Sequence, residues 1–160
     1  MHANCLRIAQ GFADLYGDEF RGGRILEVGS YYINGSAREI FEPLAIEYVG
    51  IDLQPGPGVD YVFDAEKPLP TPGLFDAAIC LNTLEHSRRP WRVVLSIAEA
   101  LRPGGLVLIV APWQWAEHRW PIDCWRILPD GMRVLFEDAG MEVLIACTDE
   151  NDCIGVGRQG

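Results

Sequence analysis

No apolar run in the chain approaches the roughly 18 residues that a membrane-spanning helix requires. The first residues, MHANCLRIAQGFADLYGDEF, lack the basic start and apolar centre of a secretory signal. Their spacing, with Leu6, Ala9, Ala13 and Tyr16 near one face, predicts a helix instead. Basic charge is also scarce: 13 Lys and Arg stand against 23 Asp and Glu, a net charge of −10. That balance argues against nucleic-acid binding, which depends on neutralising phosphates with cations, and against an anionic membrane surface. Small molecules or proteins are the expected partners. The cysteines, Cys5, Cys80, Cys124, Cys147 and Cys153, are odd in number and show no CxxC spacing, so a disulfide framework is not expected. Without a secretory signal, this points to a reduced, cytoplasmic setting. Internal repeats and domain linkers are missing too, which leaves residues 1–160 as one expected domain.

What is present is an ordinary globular composition, 49% apolar and 22% charged, arranged as alternating strands and helices. Residues 24–28, 47–51, 60–63, 75–81 and 106–111 read as strands, and 142–148 with 153–157 as a closing hairpin around DEND. Ser36 with Glu39 forms a capping-box pattern for a short helix that Pro43 limits. Val94, Ala98 and Leu101 mark a helix over 91–101, with Pro103, Gly104 and Gly105 as its stop. Another begins near Pro129, with Met132, Leu135, Phe136 and Ala139 on one face. The alternation predicts an α/β, doubly wound, Rossmann-like sheet, mostly parallel, with ligands at the carboxyl ends of its strands.

Those ends carry the informative residues. The first strand runs into ILEVGSYYINGS, placing Glu27 two residues before Gly29. The second ends at Asp52, whose two oxygens suit the two hydroxyls of a ribose. Leu53 follows, where it can pack on a base face, and Asp64 after the third strand can accept from an adenine amino group. A dinucleotide site needs G-x-G-x-x-G to admit a pyrophosphate, and the second glycine is absent from Gly29-Ser30-Tyr31-Tyr32. A carboxylate at Glu27 repels a pyrophosphate but suits an ammonium. Adenosine joined to a cationic amino acid describes S-adenosylmethionine.

At this point the chain resembles the class I S-adenosylmethionine-dependent methyltransferases, over roughly residues 20–158. ILEVGSYYINGS is similar to the first motif of a branch with Gly-Ser and Asn-Gly-Ser in place of the commoner glycine-rich loop, and YVGIDLQPGPGVD to the second. FDAAICLNTLEHSRRPWRVVLSIAEALRPGGLVLIVAP resembles the fourth strand, helix and fifth strand, and HRWPIDCWRILPDGMRVLFEDAGMEV the segment that often follows. The resemblance implies a seven-stranded sheet with an antiparallel last strand. It also implies Glu27, Gly29 and Ser30 near the methionine moiety, Asp52 and Leu53 at the ribose and base, Asp64 and Ala65 beside the adenine, and Leu81 and Asn82 flanking the sulfonium. The acceptor implied is a small molecule; oligomeric state is not encoded in these motifs. Tyr31 or Tyr32 is placed to close part of the pocket.

Plainer readings stand beside these. Asp52 can be a turn former, Glu27 a buried structural acid, and Asn82 a satisfier of local backbone groups. Retained cofactor residues are equally compatible with a cofactor-binding module that does not turn over, and a nicotinamide-dependent oxidoreductase is disfavoured by the missing glycine. Residues 112–128 hold Trp113, Trp115, Trp120 and Trp125, and so long an irregular connection reads as an acceptor lid. Within it His118 is the candidate base and Asp123 either its orienting partner or a substrate contact, with Trp125 and Arg126 as anchors. His86 reads as a structural side chain orienting the loop after strand four, with a catalytic base as the alternative. Glu85, His86, Asp123 and Cys124 show no recognised ligand spacing, so no metal is expected.

Overall fold

A computed structural model describes residues 3–32, 34–70 and 72–160. The elements are α1 (Ala3–Phe20), β1 (Arg24–Val28), α2 (Arg38–Phe41), β2 (Glu47–Asp52), β3 (Tyr61–Val62), β4 (Phe75–Leu81), α3 (Pro90–Ala100), β5 (Leu101–Pro112), α4 (Pro129–Asp138), β6 (Met141–Asp149) and β7 (Asp152–Gln159). The strands form one seven-stranded sheet in the order β3-β2-β1-β4-β5-β7-β6. All pairs from β3 to β5 are parallel, and β7 runs antiparallel between β5 and β6. The expected doubly wound sheet with an antiparallel C-terminal hairpin is therefore present.

Side-chain alternation sorts the apolar residues into two layers. Leu26 and Val28 of β1 join α3 and α4 residues such as Val94, Ile97, Met132 and Phe136 on one face. Ile25 faces the other way, into Phe12, Phe20 and Phe41 of α1 and α2. The central strands are covered on both sides, which is why β4 reads FDAAICL with almost every position buried. α1 is also tied to the C-terminal hairpin: Asn4 donates to Asp152 at 2.9 Å, Arg7 pairs with Asp149, and Arg158 of β7 pairs with Glu19 at 2.7 Å.

Three local expectations shift. The capping box does not close: Ser36 Oγ accepts from the Arg38 amide at 3.1 Å, and α2 is a single turn because Pro43 follows within a 3-10 turn. Pro103, Gly104 and Gly105 follow a helix that has already ended at Ala100, and they lie inside β5. They are accommodated because Phe75 pairs with Leu101 while Ala77 pairs with Leu106, so the intervening residues bulge from the ladder. The third strand is only Tyr61–Val62.

Candidate active site at the carboxyl ends of the strands

Strand order reverses between β1 and β4, the switch point at which open α/β sheets bind ligands. A cavity of about 720 Å³ opens there. Its walls include Gly29, Asp52, Leu53, Asp64, Ala65, Leu81 and Asn82 on one side, and His86 and residues 118–122 on the other.

Each wall residue is set by its strand end. Gly29 follows β1 at φ +80°, a conformation that costs a side-chain-bearing residue free energy, and a Cβ there would lie 1.9 Å from Thr83 Oγ1. Asp52 closes β2; its Oδ2 accepts from the Tyr31 amide at 3.1 Å, which fixes the carboxylate and leaves lone pairs toward the cavity. Asp64 accepts from the Glu66 amide at 3.0 Å in a tight local turn. Asn82 sits at φ 47°, an uncommon backbone state outside glycine, and its Oδ1 is buried without a hydrogen-bond partner. Leu53 is left 60% exposed at the rim.

Two expected cofactor residues lie elsewhere. Glu27 shares a strand face with Ile25 and so points into the α1 and α2 layer, where it accepts a hydrogen bond from Tyr48 Oη at 2.8 Å. Burial raises its carboxyl to about 7, against the opposing pull of the Tyr48 hydrogen bond and the Arg38 charge. Ser30 packs against Gly50 and Gly58, where a Cβ would meet its side chain or its carbonyl, and so it locks the first loop rather than facing the cavity.

The opposite wall is a construction of side chains. The irregular segment between β5 and α4 is held by Asp123, whose carboxylate receives Arg126 Nη1 at 2.6 Å and Nη2 at 2.8 Å and the His118 amide at 2.7 Å. The Arg126 bonds hold Asp123 well below the usual carboxylate range. Arg126 also donates to the Trp115 and Ala116 carbonyls, and Trp125 Nε1 donates to Ser87 O at 2.8 Å. Asp123 thus orients the segment and does not line the cavity, whereas His118 does.

His86 meets this segment from the 3-10 turn after β4, its Nδ1 lying 2.6 Å from Ile122 O. Burial, with His118 alongside, lowers its pKa against the pull of that carbonyl. Between the two imidazoles lies Glu85, fully buried, both carboxylate oxygens without a hydrogen-bond partner. Burial raises it to about 8; its own amide counters part of that shift from outside hydrogen-bonding geometry. Two further contributors escaped the sequence reading. Thr83 fills the space beside Gly29, and Glu66 gathers Ser87 Oγ at 2.9 Å and the Arg88 amide at 2.8 Å, fixing the loop after β4. Their partners are distant in sequence, so no spacing betrays them.

The donor set fits an adenosyl sulfonium. Asp52 offers acceptors to a ribose, Asp64 to an amino group, and the unpartnered Asn82 oxygen offers negative charge density where a cation can lie. Residues 2–144 match the family described as Methyltransferase domain. The chain is 30% identical over 106 residues to the Ubiquinone biosynthesis O-methyltransferase of Xanthomonas euvesicatoria pv. vesicatoria, covering 57% of this chain and 44% of that protein. It is 33% identical over 92 residues to its namesake in Burkholderia thailandensis, covering 54% and 39%. The matches thus span less than half the length of these relatives.

Among solved structures, the Burkholderia thailandensis 1,6-didemethyltoxoflavin-N1-methyltransferase, bound to 1,6-didemethyltoxoflavin and S-adenosylhomocysteine, superposes with a TM-score of 0.78 at 16% identity, covering 97% of this chain and 78% of that one. The [4+2]-cyclase SpnF superposes at 0.72 and 19% identity, covering 96% and 81%. The same sheet thus also serves a cyclase, and these likenesses speak for the fold alone. Motifs, topology and family match together place the chain in the class I S-adenosylmethionine-dependent methyltransferases.

Proposed function

We propose that the chain transfers the methyl group of S-adenosylmethionine to a hydroxyl oxygen of a small acceptor held under residues 118–122. The observation that carries this reading is the division of one cavity: carboxylates and a bare backbone at the β1, β2 and β3 ends, imidazoles and an aromatic loop across from them. Bound there, the sulfonium supplies an already electrophilic methyl, so the chemistry demanded of the protein is modest. Asp52 accepts the ribose hydroxyls, and Gly29 lets the ligand approach the backbone. Asn82 presents its buried oxygen toward the positive charge. The 118–122 segment covers the acceptor and excludes water, and positioning of this kind accounts for much of a group-transfer rate. His118 is the candidate base, with Nδ1 directed at Ala116 O at 3.1 Å and Nε2 turned inward.

Oxygen as the methylated atom is supported by the relatives' shared name, O-methyltransferase. A small acceptor fits the cavity's size, and the net charge of −10 favours neither nucleic acid nor anionic lipid. Calorimetric titration with S-adenosylmethionine, S-adenosylhomocysteine and NAD, followed by transfer of labelled methyl to a panel of small hydroxylated compounds, tests the reading. Binding of the first two ligands without NAD, and label recovered on oxygen, is the expected result. Cofactor binding with no transfer to any acceptor or cell extract would instead leave a non-catalytic cofactor module. Absence of cofactor binding would remove the proposal altogether.

A further inference from the structure

We propose that Glu85, His86 and His118 form a binding site for a divalent transition-metal ion, zinc in class, at the acceptor end of the cavity. One ligand atom from each residue lies within 4.8 Å of the others. His86 Nε2 and His118 Nε2 are each 3.7 Å from the same oxygen, Glu85 Oε1. That is too long for a hydrogen bond but close to the separation of about 3.4 Å expected between ligands around a tetrahedral ion with bonds of about 2.1 Å.

The surroundings prepare both rings for coordination. His86 Nδ1 addresses the Ile122 carbonyl at 2.6 Å, and His118 Nδ1 addresses Ala116 O at 3.1 Å and Asp123 Oδ2 at 3.4 Å. Donation from both Nδ1 atoms leaves both Nε2 lone pairs directed at Glu85, the second-sphere pattern found behind metal-bound histidines. Glu85 is 0% exposed, and neither carboxylate oxygen has a hydrogen-bond partner. A buried carboxylate in that condition calls for a counter-charge or an occupant.

Two imidazoles and a carboxylate suit zinc, iron, cobalt or manganese better than magnesium. The histidines border the cavity while Glu85 lies behind them, so the open coordination positions face the acceptor. Resting on the methyl-transfer reading, a bound ion would hold the acceptor hydroxyl and lower its pKa, replacing His118 as the activating group, since the Nε2 of His118 is then a ligand. The hydroxyl proton is given up to solvent water as the acceptor enters and binds the ion, and the covered oxygen then bonds the methyl carbon. The carbon–sulfur bond breaks with its electron pair kept by sulfur.

The test needs no methyl transfer. Purified, chelator-treated protein is titrated with Co2+ and followed by its visible d–d absorption, then with Zn2+ by calorimetry, on wild type, Glu85→Gln, His118→Ala and Cys124→Ser. One ion per chain is expected, with affinity lowered at least 10- to 100-fold by Glu85→Gln and by His118→Ala, and unchanged by Cys124→Ser. Glu85→Gln alters a buried group, so thermal melts accompany it. His118→Ala, on a partly exposed segment, gives an independent answer. No cobalt bands in wild type would overturn the proposal and leave a water bridging the three side chains. Binding lost in Cys124→Ser but kept in His118→Ala would overturn it in favour of the exposed thiol.

Discussion

On the β2–β3 flank of the cavity, polar groups are held by backbone amides of neighbouring turns: Tyr31 N on Asp52, Glu66 N on Asp64. Across from them, order comes from side chains that bridge distant segments. His86 reaches Ile122, Trp125 reaches Ser87, the Cys124 amide reaches the Glu85 carbonyl at 2.7 Å, and Arg126 clamps Asp123. The first flank is rigid because strands and short turns define it. The second depends on a few polar contacts and can be loosened one contact at a time. A shared cofactor paired with a variable acceptor calls for that division.

Gly29 and Thr83 touch where the two flanks meet, so the largest effect is expected there. Gly29→Val adds a branched side chain at φ +80° against Thr83 and should cost about 4–5 kcal/mol, combining overpacking with left-handed strain. Denaturant melts measure it, and near-normal stability would mean the junction is softer than drawn.

Glu27 belongs to neither flank but to the layer beneath. Its folded pKa, raised by burial from 4.5 to about 7, means that between these values the folded state keeps a proton that the unfolded state has lost. Stability therefore falls as pH rises from 4.5 to 7, by about 3 kcal/mol, and is flat in this term above that. Glu27→Gln keeps an acceptor for Tyr48 and should remove that slope, leaving the variant more stable than wild type at pH 8. Melts across pH decide this, and an unchanged slope would assign it to another group.

Asp52→Ala should weaken S-adenosylhomocysteine binding 10- to 100-fold, or about 1.5–3 kcal/mol, with little change in the melt. Unchanged affinity would make Asp52 a turn residue only. The smallest effect is expected from Arg126→Met, which frees Asp123 and the acceptor segment. It should raise the acceptor KM on the order of tenfold while S-adenosylhomocysteine affinity stays within about threefold. Equal losses in both would erase the distinction between the flanks.

The same distinction explains what was legible in the sequence. β1 and β4 match the expected ranges, because a central parallel strand leaves an apolar run bounded by turn residues. Asp52, Leu53, Asp64, Ala65, Leu81 and Asn82 line the cavity, since a strand end puts its last residues at the carboxyl edge whatever else the fold does. Glu27 is near Gly29 in sequence, but parity decides its direction: sharing a face with Ile25, it points under the helices. The grouping of Glu85 and His86 with His118 was illegible because ligand spacing reports only residues on one element, and His118 arrives on an irregular loop. Asp123 and Arg126, three residues apart, were visible as orienter and anchor; their mutual pairing was not.

β7 follows β6 in the chain yet occupies an inner place between β5 and β6. On the ribosome this reverses the usual logic of growth by addition at an edge. β5, the most apolar strand, keeps one side of its backbone unpaired until residues 152–159 have emerged, and β6 has no sheet to join before then. The clasp from α1 to the hairpin closes only then as well, joining segments far apart in the chain. A nascent chain that stalls short of Asp152 exposes an adhesive strand edge, so its risk of aggregation is greatest in the interval between the emergence of β5 and that of β7.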